Sequence, residues 1–214
     1  MSLTLDLRYR RPLAKCSEMA IRLLENASAI SHVVIVTLAT APWVTISIQN
    51  FMPELGPVIE RLKIPVIYAK ETVSPEEQRR ARKAGLCVPA YMKEVAMKKQ
   101  LKLFYSRYEM QSWKNVLSIG DSVFERRALQ EVIADRNYDQ NFSKICRKKT
   151  MKMISHPSIT QLIPQLEILS AWIPYMLAHD GDFDLDIEDN QECLLRLHDF
   201  ICRPENLPPV NGRA

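Results

Sequence analysis

The run His32-Val33-Val34-Ile35-Val36-Thr37-Leu38 is continuously apolar and β-branched, with none of the alternation of a half-exposed strand. Such a run fits a parallel strand covered by helices on both faces. Ile64-Pro65-Val66-Ile67-Tyr68-Ala69 reads as the next strand, and Pro65 near its start marks an edge or a strand beginning. Asn115–Ile119 reads as a third, and the alternating Thr150–Ile154 as a fourth. Helical patterns fill the intervals at 13–29, 41–48, 51–61, 72–85, 89–107, 122–136 and 158–179. Ser74 is an N-cap candidate, Gly85 stops that helix, and Pro53 starts a first turn. Strands alternating with helices predict an α/β fold, a three-layer parallel sheet with ligands beyond the carboxyl ends of its strands.

The ends of the chain read differently. Residues 2–9 alternate like a short strand, so 1–12 is set apart from a main α/β domain at 13–187. Asp182–Gln191 reads as a solvated acidic connection. A final helix near Glu192–Cys202 and a Pro-rich tail, expected to be disordered, make up 188–214.

Composition removes several classes. Five dispersed cysteines without a CxxC pair read as reduced thiols of a cytoplasmic protein, not as a disulfide framework or a zinc site. Five glycines form neither a dinucleotide nor a P-loop fingerprint. No run reaches the length of a membrane span and no secretory signal is present. A net charge of +4 gives no reason to expect nucleic acid, and the clusters 79–83 and 147–149 read as solvated faces. Trp43, Trp113 and Trp172 are expected in packing roles, and His32 as an ordinary edge residue.

Chemistry concentrates at Gly120-Asp121-Ser122-Val123-Phe124-Glu125. Asp121 stands where the third strand ends, and Glu125 four residues on falls in the first turn of the next helix. Two such carboxylates can reach one site, and an oxygen-only ligand set favours Mg²⁺. The same pair also fits a helix cap at Asp121 and a surface ion pair at Glu125. Thr37 ends the first strong strand in the corresponding place.

These residues resemble the haloacid dehalogenase-like phosphohydrolases. Their fourth motif is Gly-Asp with an acid four positions on, matched by Gly120-Asp121 and Glu125. Their second is a Thr or Ser after an apolar strand, matched by Thr37. Their third is a Lys on a preceding helix, matched by Lys93, with Lys98 and Lys99 as alternatives. Asn115–Arg126, Pro42-Trp43-Val44, Pro89–Lys93 and His179–Leu185 resemble an uncharacterised protist and algal branch of that family, and the likeness covers about residues 30–187. It implies that Thr37 hydrogen-bonds a transferring phosphoryl oxygen and that Lys93 neutralises its charge. It implies that Asp121 ligates Mg²⁺ and that Glu125 supports the metal shell, with a phosphorylated small molecule or protein as substrate.

The family's reaction depends on Asp-x-Asp at the end of its first strand, one Asp as nucleophile and one as acid and base. No Asp-x-Asp precedes the Ala14–Ala29 segment. Asp6 stands alone there with Arg8 in the second position, and Leu38 stands where the branch has Asn. The expectations are therefore a truncated phosphatase or an inactive member with a partial Mg²⁺/phosphate site. The alternative is a non-catalytic protein-interaction module on the same scaffold. A Gly-Asp-Ser esterase is excluded because no Asp-x-x-His follows. A calcium loop at Asp180–Asp186 is excluded because its sixth and twelfth positions are not Gly and Glu.

Overall fold

A computed structural model describes residues 7–108, 114–138 and 145–207. It is a mixed α/β protein with parallel sheets. The order is α1 (Leu7–Ile30), β1 (Ile35–Thr37), α2 (Trp43–Phe51), α3 (Leu55–Arg61), β2 (Val66–Tyr68), a 3₁₀ turn (Ala69–Thr72), α4 (Pro75–Lys83), α5 (Val88–Tyr105), β3 (Asn115–Gly120), α6 (Val123–Tyr138), β4 (Arg147–Lys152), α7 (Ile159–Ala178), β5 (Phe183–Asp186) and α8 (Gln191–Ile201), before a second 3₁₀ turn (Pro204–Asn206).

The strands form two sheets. β1 pairs with β2, Ile35 opposite Val66, and β3-β4-β5 form the other, all parallel. Among the described residues no strand stands between β1 and β3. β1 has the sequence of a central strand and the position of an edge, and its three residues are only half-buried. The expected strand at 2–9 is corrected in part. Leu7–Tyr9 form the start of α1, where the arginines that follow favour helix over strand, and residues 2–6 lie outside the described residues. α1 runs through the expected boundary at 12/13.

The largest core lies between the β3-β4-β5 sheet and helices α1, α7 and α8. Leu117 and Ile119 of β3, Met151 of β4 and Leu185 of β5 meet Leu23 and Ala27, Ile168 and Ile173, and Leu194 and Ile201 there. The opposite side of β3 turns Val116 toward Leu129 and Val132 of α6 and Met97 of α5. A third cluster joins Val36 and Ile67 to Met92 and Ala96 of α5. Thus α5 touches both strand groups, and α8 shares the main core.

Local signals explain several boundaries. Ser74 and Glu77 form a reciprocal capping box on α4, as do Ser158 and Gln161 on α7. The expected helix at 72–85 is shorter than its pattern because Ala69–Thr72 closes first as a separate 3₁₀ turn. Its stop is as expected: Gly85 has φ +76°, while Leu86 N–H donates to Ala81 O and Gly85 N–H to Arg82 O.

β5 overturns the reading of 182–191 as a loop. Phe183, Leu185 and Ile187 turn into the main core, while Asp182, Asp184 and Asp186 face the other way, an edge-strand alternation. The acids meet the basic residues of β4 and α6. Lys152 pairs with Asp186 at 3.0 Å, Arg126 with Asp184 at 2.7 Å, and Lys148 lies 3.9 Å from Asp182. Arg147 reaches Asp180 at 2.5 Å, and Thr150 Oγ1 donates to Asp184. The basic run 147–149 is thus strand, not a free solvated face, and β4 begins earlier than expected. Trp43 also departs from expectation, being 58% exposed, whereas Trp172 packs on the main core and Trp113 lies outside the described residues. Among the described residues no helix is long and apolar enough to cross a membrane.

Lys149 turns the other way and is fully buried. Its ammonium donates to Met176 O at 2.9 Å, Leu177 O at 3.0 Å and His179 O at 2.6 Å, closing the carbonyl end of α7. Lys149→Met leaves those carbonyls unsatisfied, and urea denaturation should show a loss of about 3 kcal/mol. Lys148→Met, on the half-exposed face, should stay within about 0.5 kcal/mol.

Candidate functional site

The site lies at the carboxyl ends of β1 and β3. α5 starts with Pro89 in its first turn and buries Ala90, Met92, Lys93 and Ala96. The small alanines let the helix lie close, and Lys93 shares their inward side, 5% exposed. Its ammonium donates to Glu125 Oε1 of α6 and lies 3.4 Å from Val36 O of β1. One side chain therefore bridges the end of β1 and the start of α6. Of the alternative lysines, Lys98 pairs with Asp135 at 2.6 Å near the surface, and Lys99 is exposed.

Glu125 is held from the other side by Ser122, whose hydroxyl donates to Oε2 at 2.5 Å. The same hydroxyl accepts from Phe124 N–H at 3.1 Å. Ser122 thus caps α6, the role read at Asp121 from the sequence. Ser-x-x-Glu before a helix is a capping-box signature, and that signal was available in the sequence. Burial alone would raise the Glu125 carboxyl. The hydrogen bonds from Lys93 and Ser122 and the charge of Lys93 outweigh it and hold the carboxyl below its ordinary value.

Gly120 makes this geometry possible. A Cβ there would stand 2.6 Å from Glu125 Cδ and 2.9 Å from its Cβ, and the carboxylate is pinned from both sides. The glycine is needed for close approach, not for an unusual backbone.

The other two expected residues point elsewhere. Asp121 is exposed, and its backbone carbonyl accepts from Ser155 Oγ at 2.5 Å. Thr37 Oγ1 accepts from Ala39 N–H at 3.0 Å and shapes the turn after β1. That turn is tied to the 3₁₀ turn after β2, because Ala41 N–H donates to Glu71 Oε1 at 3.1 Å. Lys93 and Glu125 are thus brought into contact, with Thr37 and Asp121 as chain neighbours engaged in their own loops. Among the described residues no group of three or more His, Cys, Asp or Glu side chains is placed to hold a metal ion. Cys146 offers no nucleophile, since burial pushes its thiol up to about 11. No protein-family model, no curated protein and no solved structure matches the chain.

Because the folded Glu125 carboxyl titrates below the ordinary 4.5, its contribution is fully present above that pH. It is lost as pH falls through the folded value. Urea melts from about pH 7 down to pH 3 should therefore show an acid-side loss in the native protein that Glu125→Gln lacks. At neutral pH Glu125→Gln should cost roughly 3 kcal/mol by leaving Lys93 buried and unpaired. Gly120→Ala should cost about 2 kcal/mol by displacing the pinned carboxylate, and chemical denaturation checks both.

Proposed function

We propose that this chain is a haloacid dehalogenase-like phosphohydrolase domain that does not turn over phosphate esters. One observation carries the reading. Three distant segments that resemble the family's motifs, ending at Thr37, Lys93 and Glu125, meet at the carboxyl ends of parallel strands, with Lys93 in contact with both flanking segments. The strand groups β2-β1 and β3-β4-β5 are both reached through Lys93 and its partner Glu125, and this supports a sheet of that type whose first strand is lacking or degenerate.

The inactivity follows from charge. Lys93 is the cation the resemblance assigns to phosphate, and its ammonium is taken by Glu125. That charge is already neutralised by a buried, hydrogen-bonded carboxylate, and separating the pair would cost several kcal/mol. The sequence also supplies no Asp-x-Asp ahead of Ala14, so neither nucleophile nor proton carrier is provided.

The Mg²⁺ that the resemblance implies does not fit the residues present. It demands a near-octahedral oxygen set. Glu125 is committed to Lys93 and Ser122, which leaves Asp121 as the single carboxylate of the pair turned to solvent.

The test is release of phosphate from an aryl phosphate ester with and without Mg²⁺. The expected rate equals the protein-free background, because loss of a nucleophile removes several orders of magnitude. Mg²⁺ should leave the melting temperature of the native protein and of Asp121→Ala unchanged. Saturable, Mg²⁺-dependent hydrolysis that Asp121→Ala abolishes would overturn the proposal.

A further inference from the structure

β1 and β3 each have one edge that no strand covers among the described residues, and the pairing fixes which backbone groups lie there. Ile35 N–H donates to Pro65 O, so Ile35 and Thr37 turn their backbone groups to β2 and Val36 turns its own away. Arg147 N–H donates to Lys114 O and Met153 N–H to Gly120 O, so Val116 and Ser118 face β4 while Asn115, Leu117 and Ile119 face away. The Lys93 ammonium agrees with this parity. It lies 3.4 Å from Val36 O and also contacts Glu125, just after β3. The two open rows therefore border one gap, with Lys93 at its carboxyl end. Among the described residues Lys93 is the one donor that reaches either row.

Helices cover the gap on both faces. Leu23 and Ala27 of α1 share a core with Val33, Leu117 and Ile119, while α5 sets Met92 and Ala96 on Val36 and Met97 on Val116. Backbone N–H and C=O groups in such surroundings are almost always paired, and these lack strand partners. Ile35–Thr37 and most of β3 are only half-buried, so water reaches the rows.

We propose that the gap is a docking slot for an extended segment of another polypeptide, which adds as a strand between β1 and β3 and parallel to both. The inference rests on backbone pairing and not on the phosphohydrolase reading. Groups on both rows recur every second residue, and an extended backbone presents complementary donors and acceptors at that repeat on both of its edges. Apolar residues of α1 and α5 line the two faces, so the segment is apolar at successive positions, not at alternate ones. This chain's own ends do not supply it. α1 has 24 residues, about 36 Å, against about 20 Å for the six of β3, and it returns to β1 at the amino ends of the strands. Leu7 thus stands beyond their carboxyl ends, and residues 1–6 do not reach through the gap while α1 is intact. Residues 208–214 begin with Pro208-Pro209, which lack the N–H donors a central strand needs.

Amide hydrogen exchange of the full chain, read residue by residue by NMR, tests this. In the free protein the Val116 and Ser118 amides, turned to β4, should be protected, and those of Val36, Leu117 and Ile119 should exchange about tenfold faster or more. The probe is an excess of a capped peptide copying residues 33–38, with a lysine added at each end for solubility. It should slow exchange at Val36, Leu117 and Ile119 by about tenfold or more. The same peptide N-methylated at every second residue keeps its side chains but loses donors, and should protect none of them. Leu117 and Ile119 amides as slow as Val116 and Ser118 in the free chain overturn the proposal, and if removal of residues 1–6 then speeds them, the chain's own start fills the gap. Exchange that the probe peptide leaves unchanged also overturns it, as does equal protection by the N-methylated form.

Discussion

A buried ion pair between Lys93 and Glu125 stands where the two strand groups come closest in function. Its cost is desolvation of two charges, and it is tolerable only because further groups complete the hydrogen bonding. Ser122 and the Val36 carbonyl supply that completion. The requirements then spread outward. Gly120 must lack a side chain, the N-terminus of α6 must be capped by Ser122, and α5 must lie close enough for Lys93 to reach β1. Each is a local sequence choice that makes sense through the pair.

The rest of the charge follows a similar economy. The basic residues of β4 and the acidic residues of β5 read as two solvated faces when they are met separately in the sequence. In the fold they sit on adjacent strands and neutralise each other. Exposed pairs of this kind add little stability singly.

Much of the architecture was legible. The β-branched run before Thr37 and the run before Gly120 name two strands, and Ser74, Gly85 and Ser158 mark helix ends because capping chemistry is local. Lys93 and Glu125 were both singled out from their motifs, and the fold places them in contact. What escaped depends on partners distant in the chain. β5 was hidden because Asp182, Asp184 and Asp186 read as solvated until Lys148, Arg126 and Lys152 are set beside them. The separation of β1 from β3 cannot be read from either strand alone. Ser122 is a different kind of miss, since its capping signature was present but overshadowed by the adjacent Gly-Asp.

The central claim is that Lys93 and Glu125 act as one unit joining the two strand groups. A double-mutant cycle built on Lys93→Met and Glu125→Gln, read by urea denaturation at neutral pH, measures that coupling directly. The account predicts a coupling free energy of about 2 kcal/mol or more, with the double variant more stable than the sum of the single losses. Single losses that simply add, leaving a coupling below about 0.5 kcal/mol, would contradict it.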